Sequence, residues 1–216
     1  VDAATVTIGG VDQLYAYPCT EDNTLFLYYD KSVINGDQVD TLDELLDAAH
    51  AAGRKVHFKL NDDGWYLSSF FFAIPELGYN VTYNDKMVEQ AVSVNYNNAQ
   101  GLAVMQALKN YVNHPALVIQ TDDSKIISGL TPDANGYVEV AAAVSGTWNA
   151  KGIKDLLGDN MGAAKLPTVE IAGEQKQLVT YMGCKLIGVN GYSQQKAEAH
   201  KLAQWLTNEQ NQLIRF

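Results

Sequence analysis

Hydrophobic positions along the chain follow two different periods, and their alternation predicts strands interleaved with helices. Residues 42–49 place leucine and alanine at the i, i+3, i+4 and i+7 spacing of an amphipathic helix. Thr41 and Glu44 form a capping box in front of this stretch, and Gly53 stands where a helix C-terminus favours glycine. The next segment, KVHFKL (55–60), alternates apolar and polar residues as a strand does.

The same pattern continues to the end of the chain. YVEVAAAVSG (137–146) is apolar enough to predict a central strand of a sheet, and 162–167 and 177–189 predict two more strands. Residues 97–113 predict a helix. Its expected buried side consists of Leu102, Met105, Leu108 and Val112. The last long helix is expected to carry an apolar face made of Ala199, Leu202, Ala203 and Leu206. The fold class that follows is α/β.

Composition limits the kinds of partner. The chain has 216 residues, 47% of them hydrophobic and 19% charged, which suits one large or two small folded domains. Its formal net charge of -10 argues against nucleic acid or an anionic membrane as a partner, because both require a basic face. No apolar run approaches the roughly 18 residues of a membrane span. The first ten residues lack the features of a signal peptide, as expected if the sequence begins after processing or in mid-protein.

Motifs for metal, cofactor and covalent chemistry are missing from the sequence. The four histidines have no ligand spacing, there is no C-x-x-C, and residues 132–139 match only the middle of a calcium loop. Walker A, G-x-G-x-x-G and G-x-S-x-G patterns do not occur. The acidic pairs at 62–63 and 122–123 are interpreted as solvated loops, because adjacent acids seldom flank a scissile glycosidic bond. We therefore expect no metal site and no cofactor.

Three polar or aromatic stretches are candidates for ligand binding. The turn NDDGWY (61–66) follows the strand at 55–60, at the end of a strand where ligands gather in α/β sheets. Acids beside aromatic rings suit a polyhydroxylated ligand, but the same turn is also typical of a helix N-terminus with a core tryptophan. TEDNT (20–24) is either a similar site or a plain acidic turn. Trp148 follows shortly after a strand and a glycine. It is either a residue packed in the hydrophobic core or an exposed ring on which a flat ligand stacks.

Six segments, taken in order, resemble one family across nearly the whole chain. They are YAYPCTEDNTLFLYYDKSVI, DTLDELLDA, NDDGWYL, AAAVSGTWN, AAKLPTVEIAGE and GCKLIGVNGYSQQKAEAHKLAQWLTNEQNQ. The family is that of extracellular solute-binding proteins of the maltose-binding type, which deliver ligands to ABC transporters. The resemblance implies a type II periplasmic-binding-protein fold, in which hinge strands join two α/β lobes, each with a mixed β-sheet flanked by helices.

The resemblance also divides the chain. Residues 1–23 would be a first-lobe remnant and a hinge strand, 24–183 the second lobe, and 184–216 a hinge strand with helices of the first lobe. Family members are considerably longer, so the chain resembles mainly one lobe, with part of the hinge and of the other lobe.

The resemblance assigns the candidate ligand residues. Trp148 falls on an aromatic residue that stacks on a sugar ring, and a second stacking aromatic falls on Trp65 or Tyr66. An acidic hinge position falls on Asp22 or Asn23. Another acidic position, near the second aromatic, falls on Asp62 or Asp63.

The same resemblance implies a position for each of the two cysteines. Cys19 and Cys184 fall in the two segments that resemble paired hinge strands, which would place them side by side. They are then either a disulfide or two buried thiols, and the sequence leaves both alternatives open.

The function implied is the capture of a carbohydrate, expected to be a maltodextrin-like oligosaccharide, in an interlobe cleft, without catalysis. Delivery would be to the membrane permease of an ABC importer, from an extracellular, periplasmic or lipid-anchored cell-surface position. No nucleic acid partner, membrane insertion or cofactor is expected. The alternatives are a solute-binding protein for a peptide, polyamine or metal chelate, a glycan-active enzyme, and a protein-interaction module that has lost transport.

Overall fold

The computed structural model describes residues 2–61, 63–84 and 88–215, and the chain divides into two compact units. The first unit comprises residues 1–23, 82–90 and 182–216. The second comprises residues 24–81 and 91–181. That the second unit is one lobe of a two-lobed protein stays a prediction.

Strands and helices alternate along the chain. The strands are β1 (Thr5–Ile8), β2 (Val11–Leu14), β3 (Tyr17–Asn23), β4 (Leu25–Asp30), β5 (Lys55–Phe58), β6 (Tyr79–Tyr83), β7 (Glu89–Val94), β8 (Leu117–Ile119), β9 (Val140–Gly146), β10 (Met161–Ala164), β11 (Thr168–Ile171), β12 (Glu174–Gln177) and β13 (Gly183–Ile187). The α-helices are α1 (Leu42–Ala51), α2 (Gly64–Phe71), α3 (Ala99–Val112), α4 (Ser124–Gly129), α5 (Ala150–Leu157), α6 (Lys196–Leu206) and α7 (Glu209–Arg215).

The second unit is built around a five-stranded mixed sheet in the order β10-β4-β9-β5-β8. β9 runs parallel to β5 and antiparallel to β4, and β8 runs parallel to β5. β9 lies in the middle and every one of its residues is buried, as its unbroken apolar run predicts. The structure confirms the α/β class, with a mixed sheet flanked by helices.

Helix α1 follows the sequence prediction closely. The Thr41 hydroxyl oxygen accepts a hydrogen bond from the backbone N–H of Glu44 at 3.1 Å, which caps the helix N-terminus. All four apolar positions of the predicted stripe are buried: Leu42, Leu45, Leu46 and Ala49. Gly53 adopts a φ of 66° just after the helix, a left-handed conformation that glycine reaches without steric strain.

The predicted buried face of α3 is confirmed for Leu108 and Val112 and is wrong for Leu102 and Met105. Leu102 and Met105 are 61% and 51% exposed, and the residues that pack inward are Gly101, Val104, Ala107, Leu108 and Tyr111. This helix has two apolar stripes, and the one containing Tyr111 also gains polar partners. The Tyr111 hydroxyl donates to Asp43 at 2.7 Å and accepts from the backbone N–H of Glu170 at 2.8 Å. Contacts with distant parts of the chain therefore decide which face of α3 is buried, and hydrophobicity alone does not identify that face.

The first unit contains the antiparallel pair β3–β13, the hairpin β1–β2, and helices α6 and α7. The apolar face predicted for the last long helix is only partly buried. Ala203 is 2% exposed, whereas Leu202 on the same helix is 57% exposed. In the second unit, the predicted strand at 162–167 corresponds to β10. The predicted strand at 177–189 is reduced to β13, since Gln177 ends β12 and residues 178–182 lie outside any strand.

Candidate functional site

Three parallel strands of the sheet direct their carboxyl ends to one edge. These are β5, β8 and β9, whose mutual pairings are parallel. The segment after β5 contains Lys59, Asp63 and Trp65, the segment after β8 contains Asp123, and Trp148 follows β9. Because open α/β sheets bind ligands outside the carboxyl ends of their strands, this edge is the candidate site.

Trp148 lies on the surface of this edge. It sits in the short 3-10 turn Thr147–Asn149 and is 46% exposed, which excludes the alternative of a residue packed in the hydrophobic core. Its six-membered ring lies over Gly146, where an added Cβ would approach Cζ3, Cη2 and Cε3 to 2.1–2.3 Å. A glycine is therefore required beneath the indole in this position.

Asp123 links Trp148 to helix α2. Its Oδ2 accepts a hydrogen bond from the indole Nε1–H of Trp148 at 3.0 Å, and its Oδ1 accepts one from the Tyr66 hydroxyl at 2.7 Å. Tyr66 is 2% exposed, and burial, followed by the hydrogen bond to Asp123, raises its pKa well above the usual range. The Tyr66 hydroxyl therefore stays protonated and remains a donor to the carboxylate.

Asp63 occupies the N-cap position of α2. It accepts a hydrogen bond from the backbone N–H of Trp65 at 2.9 Å, and its Oδ2 lies 2.7 Å from Lys59 Nζ. Burial raises the pKa of Asp63, but the hydrogen bonds from Lys59 and the backbone outweigh that effect, and the net pKa is lowered. Asp63 is thus an ionised carboxylate that both caps a helix and pairs with a lysine.

Trp65 is half-buried and belongs to a group of aromatic rings. Its ring centroid lies 4.8 Å from that of Tyr181, which makes an edge contact with Phe72 at 4.9 Å. Tyr181 also lines a cavity of about 340 Å³ together with Leu67, Phe71, Tyr79, Val92, Val94 and Tyr96. Burial, then a hydrogen bond with Tyr79, raises the pKa of Tyr181 to about 12. Of the two aromatics at 65 and 66, Tyr66 is buried and Trp65 is half-buried.

The remaining predicted residues have separate positions. Asn23 is half-buried at the end of β3 and pairs with Gly183 of β13. Asp22 belongs to β3, but its side chain lies outside the described part of the structure, as does the whole of Asp62. The binding roles assigned to Trp148, Trp65, Tyr66, Asp62, Asp63, Asp22 and Asn23 all stay predictions.

The two cysteines lie in adjoining strands. Cys19 belongs to β3 and Cys184 to β13, which pair antiparallel with register shifts around Lys185. Both are half-buried thiols, so the structure contains no disulfide between them. Which of the two alternatives holds for the protein in solution stays a prediction.

Two members of the site are not predicted by the sequence patterns. The acidic pair at 122–123 indicates a solvated loop, although the position of Asp123 shortly after a strand of the parallel set is a usable signal. Lys59 has no motif around it, although it faces Asp63 four residues later. Among the described residues there is no cluster of three or more side chains suited to a metal ion. Within the same ranges, no helix is long and apolar enough to span a membrane.

Comparison with known proteins gives related chains of about twice the length. The chain is 27% identical over 212 residues to the galactooligosaccharide-binding protein of Bacillus subtilis strain 168, covering 95% of this chain and 48% of the relative. A structure solved with acarbose is 33% identical, with a TM-score of 0.76 over 98% of this chain and 51% of that one. The ligand-free maltodextrin-binding protein of L. casei BL23 is 25% identical, with a TM-score of 0.68 over 93% and 49%.

The two solved structures share the fold described above, and the chain spans about half the length of each of the three relatives. The family described as bacterial extracellular solute-binding protein matches residues 2–216, which is nearly the whole chain. The chain belongs to the family of bacterial extracellular solute-binding proteins.

Proposed function

We propose that the chain comprises mainly the second lobe, together with parts of the hinge and of the first lobe, of a carbohydrate-binding protein that serves an ABC importer. The observation that carries this proposal is Trp148, a large aromatic residue that is 46% exposed and fixed at the ligand edge of the sheet by Gly146 and Asp123. The C–H faces of a pyranose ring pack on an indole face, and an exposed, immobilised indole is suited to that contact.

Trp65 is the second proposed stacking residue. It starts the helix that follows β5, at the same sheet edge as Trp148, and Tyr181 supports its ring. Tyr66, the alternative at this position, is buried and holds Asp123 instead of offering a ring face. Two aromatic residues at one edge suit a ligand of more than one sugar ring, which is also the class named for the relatives: galactooligosaccharide and maltodextrin.

Hydroxyl groups of the ligand need polar partners. Asp63 has an ionised carboxylate, and charge-assisted hydrogen bonds from hydroxyl groups are short and strong. Asp22, Asn23 and Asp62 are the further polar positions proposed for this role. We propose binding without catalysis, and this proposal rests on membership of the family of bacterial extracellular solute-binding proteins.

Delivery to a membrane permease is the proposed next step. It rests on membership of the family of bacterial extracellular solute-binding proteins. We propose that the full protein works outside the cytoplasmic membrane, either in a periplasm or held at the cell surface by a lipid anchor. Closure of two lobes on the ligand would present a distinct shape to the permease.

A panel titration tests the binding proposal. Intrinsic tryptophan fluorescence of the chain would be followed during addition of maltotriose, a galactooligosaccharide, a tripeptide and spermidine. A saturable change with one of the oligosaccharides alone supports the proposal. Saturation with the tripeptide or spermidine, and with no sugar, overturns it in favour of another solute class. Release of reducing sugar from the oligosaccharide would contradict the non-enzymatic part.

A further inference from the structure

We propose that Asp123 is the positioning residue for ligand stacking on Trp148. The inference rests on the proposed function for the ligand, but the geometry itself belongs to the free protein. The two carboxylate oxygens have different partners, because Oδ2 accepts from the Trp148 indole and Oδ1 accepts from the Tyr66 hydroxyl. The exposed platform is thereby tied to a buried side chain of helix α2.

The hydrogen bonds of the Asp123 side chain support this positioning role. Asp123 is the N-cap residue of α4, a position where aspartate usually accepts a hydrogen bond from the helix backbone. Here its side chain makes no capping hydrogen bond. The neighbouring Asp122 accepts from the backbone N–H of Ser124 at 2.9 Å instead. The carboxylate of Asp123 is therefore directed at Tyr66 and Trp148 rather than at its own helix.

Two constraints act on different parts of the indole. Gly146 allows the six-membered ring to lie against the backbone, and this contact limits how far the ring moves inward. Contact with Gly146 does not by itself stop the ring from swinging outward, because the side chain is 46% exposed. The hydrogen bond to Asp123 supplies this second constraint at the opposite end, through the pyrrole nitrogen.

Fixing the ring before the ligand arrives improves affinity. A mobile surface tryptophan loses rotamer freedom when it stacks on a ligand, and that loss weakens binding. Tyr66 keeps the arrangement constant over the physiological pH range, because burial holds its hydroxyl in the protonated donor form. Loss of the Asp123 carboxylate is therefore expected to weaken sugar binding about three- to tenfold, without removing any direct ligand contact.

The first test reads the indole N–H in the absence of ligand. The chain has three tryptophans, and the resonance missing from Trp148→Phe identifies the Trp148 indole in a ¹⁵N–¹H spectrum. In Asp123→Ala, which has no acceptor for the indole, this N–H is expected to exchange with water roughly tenfold faster, as loss of a hydrogen bond to a charged group implies. Asp122→Ala is the matched control, because it removes the same charge one residue away, from a side chain that accepts from the Ser124 N–H. Equal exchange rates in Asp123→Ala and the parent would overturn the proposal.

The second test asks whether Asp123 acts through Trp148. Asp123→Ala is expected to raise the oligosaccharide Kd about three- to tenfold, and Asp122→Ala to leave it within about twofold. In the Trp148→Phe background, which keeps a ring but lacks the donor, Asp123→Ala is expected to have no further effect. The same loss of affinity in both backgrounds would mean direct contact with the ligand and would contradict a positioning role. If the parent binds no sugar, the proposed function fails while the exchange measurement still decides the role of Asp123.

Discussion

Gly146 and Trp148 are in such close contact that no side chain fits between them. A Cβ added to Gly146 would stand 2.1 Å from Cζ3 of the Trp148 ring, far inside van der Waals contact. The backbone of Gly146 has a φ of -83°, so the glycine is needed for the space it leaves and not for its conformation. The close approach explains why the chain leaves its central strand on a glycine.

Gly146→Ala is expected to displace the indole and weaken sugar binding about tenfold, because the platform is no longer in place. The change should alter tryptophan emission without unfolding the protein, since an exposed ring has room to move outward. The control is the effect of Gly146→Ala on sugar affinity in the Trp148→Ala background, where the added methyl group contacts no indole ring. A Gly146→Ala effect of equal size in that background would show that the contact with Trp148 is not its cause.

Asp63 has a structural role that is separable from ligand binding. Asp63→Ala is expected to lower the free energy of unfolding by about 0.5–2 kcal/mol, the usual cost of losing an N-cap. Asp63→Asn keeps an oxygen for the Trp65 N–H and should lose less stability. Urea unfolding of the two variants measures this difference. If both variants are as stable as the parent, the capping hydrogen bond at 2.9 Å makes no net contribution.

His57 makes stability depend on pH. It is 2% exposed in β5, and burial lowers its pKa from 6.5, an effect that Glu139 opposes in part. Since the folded-state pKa lies below the unfolded one, the stabilisation is complete above pH 6.5 and is lost as the pH falls towards the folded pKa.

The free energy of unfolding should therefore fall between pH 7 and pH 5.5, with a slope of at most about 1.4 kcal/mol per pH unit from this group. Urea unfolding at several pH values measures it, and His57→Leu should flatten the dependence. An unchanged slope in that variant would assign the dependence to other groups.

The two cysteines are expected to react as thiols. Denatured, non-reduced protein should consume two equivalents of a thiol reagent per chain, since Cys19 and Cys184 are both thiols in the structure. Protein reduced beforehand and freed of reductant is the control for complete reaction. No consumption by the untreated protein, with two equivalents after reduction, would show that the adjoining strands β3 and β13 are joined by a disulfide.

Local signals in the sequence were sufficient to predict those helices and strands for which only one arrangement of buried residues is possible. Helix α1 has one apolar stripe and one cap, and β9 is apolar along its whole length, so neither has an alternative face. Helix α3 has two apolar stripes, and its orientation depends on contacts made by Tyr111 with residues far away in sequence. Periodicity contains no information about such contacts, and the predicted burial of Leu102 and Met105 was therefore wrong.

The site was predictable in part for the same reason. Trp148 follows the seven-residue β9, and the turn containing Asp63 follows β5, which lies in a stretch with clear alternation of apolar and polar residues. The strand-end rule therefore identifies both. Asp123 follows β8, which has only three residues and gives too short a pattern to be identified as a strand. Its two hydrogen bonds join residues 57 and 25 positions away in sequence. Such partners become visible only once the sheet has brought the three strand ends together.

The proposed function depends above all on the stacking of a sugar ring on Trp148. Isothermal titration of the chain and of Trp148→Ala with maltotriose and a galactooligosaccharide tests this contact, with circular dichroism to establish that both proteins are folded. We expect measurable binding of an oligosaccharide by the parent and a loss of at least about tenfold in Trp148→Ala. Equal affinity of the two folded proteins for the same sugar would remove Trp148 from the site and contradict its role as the stacking platform.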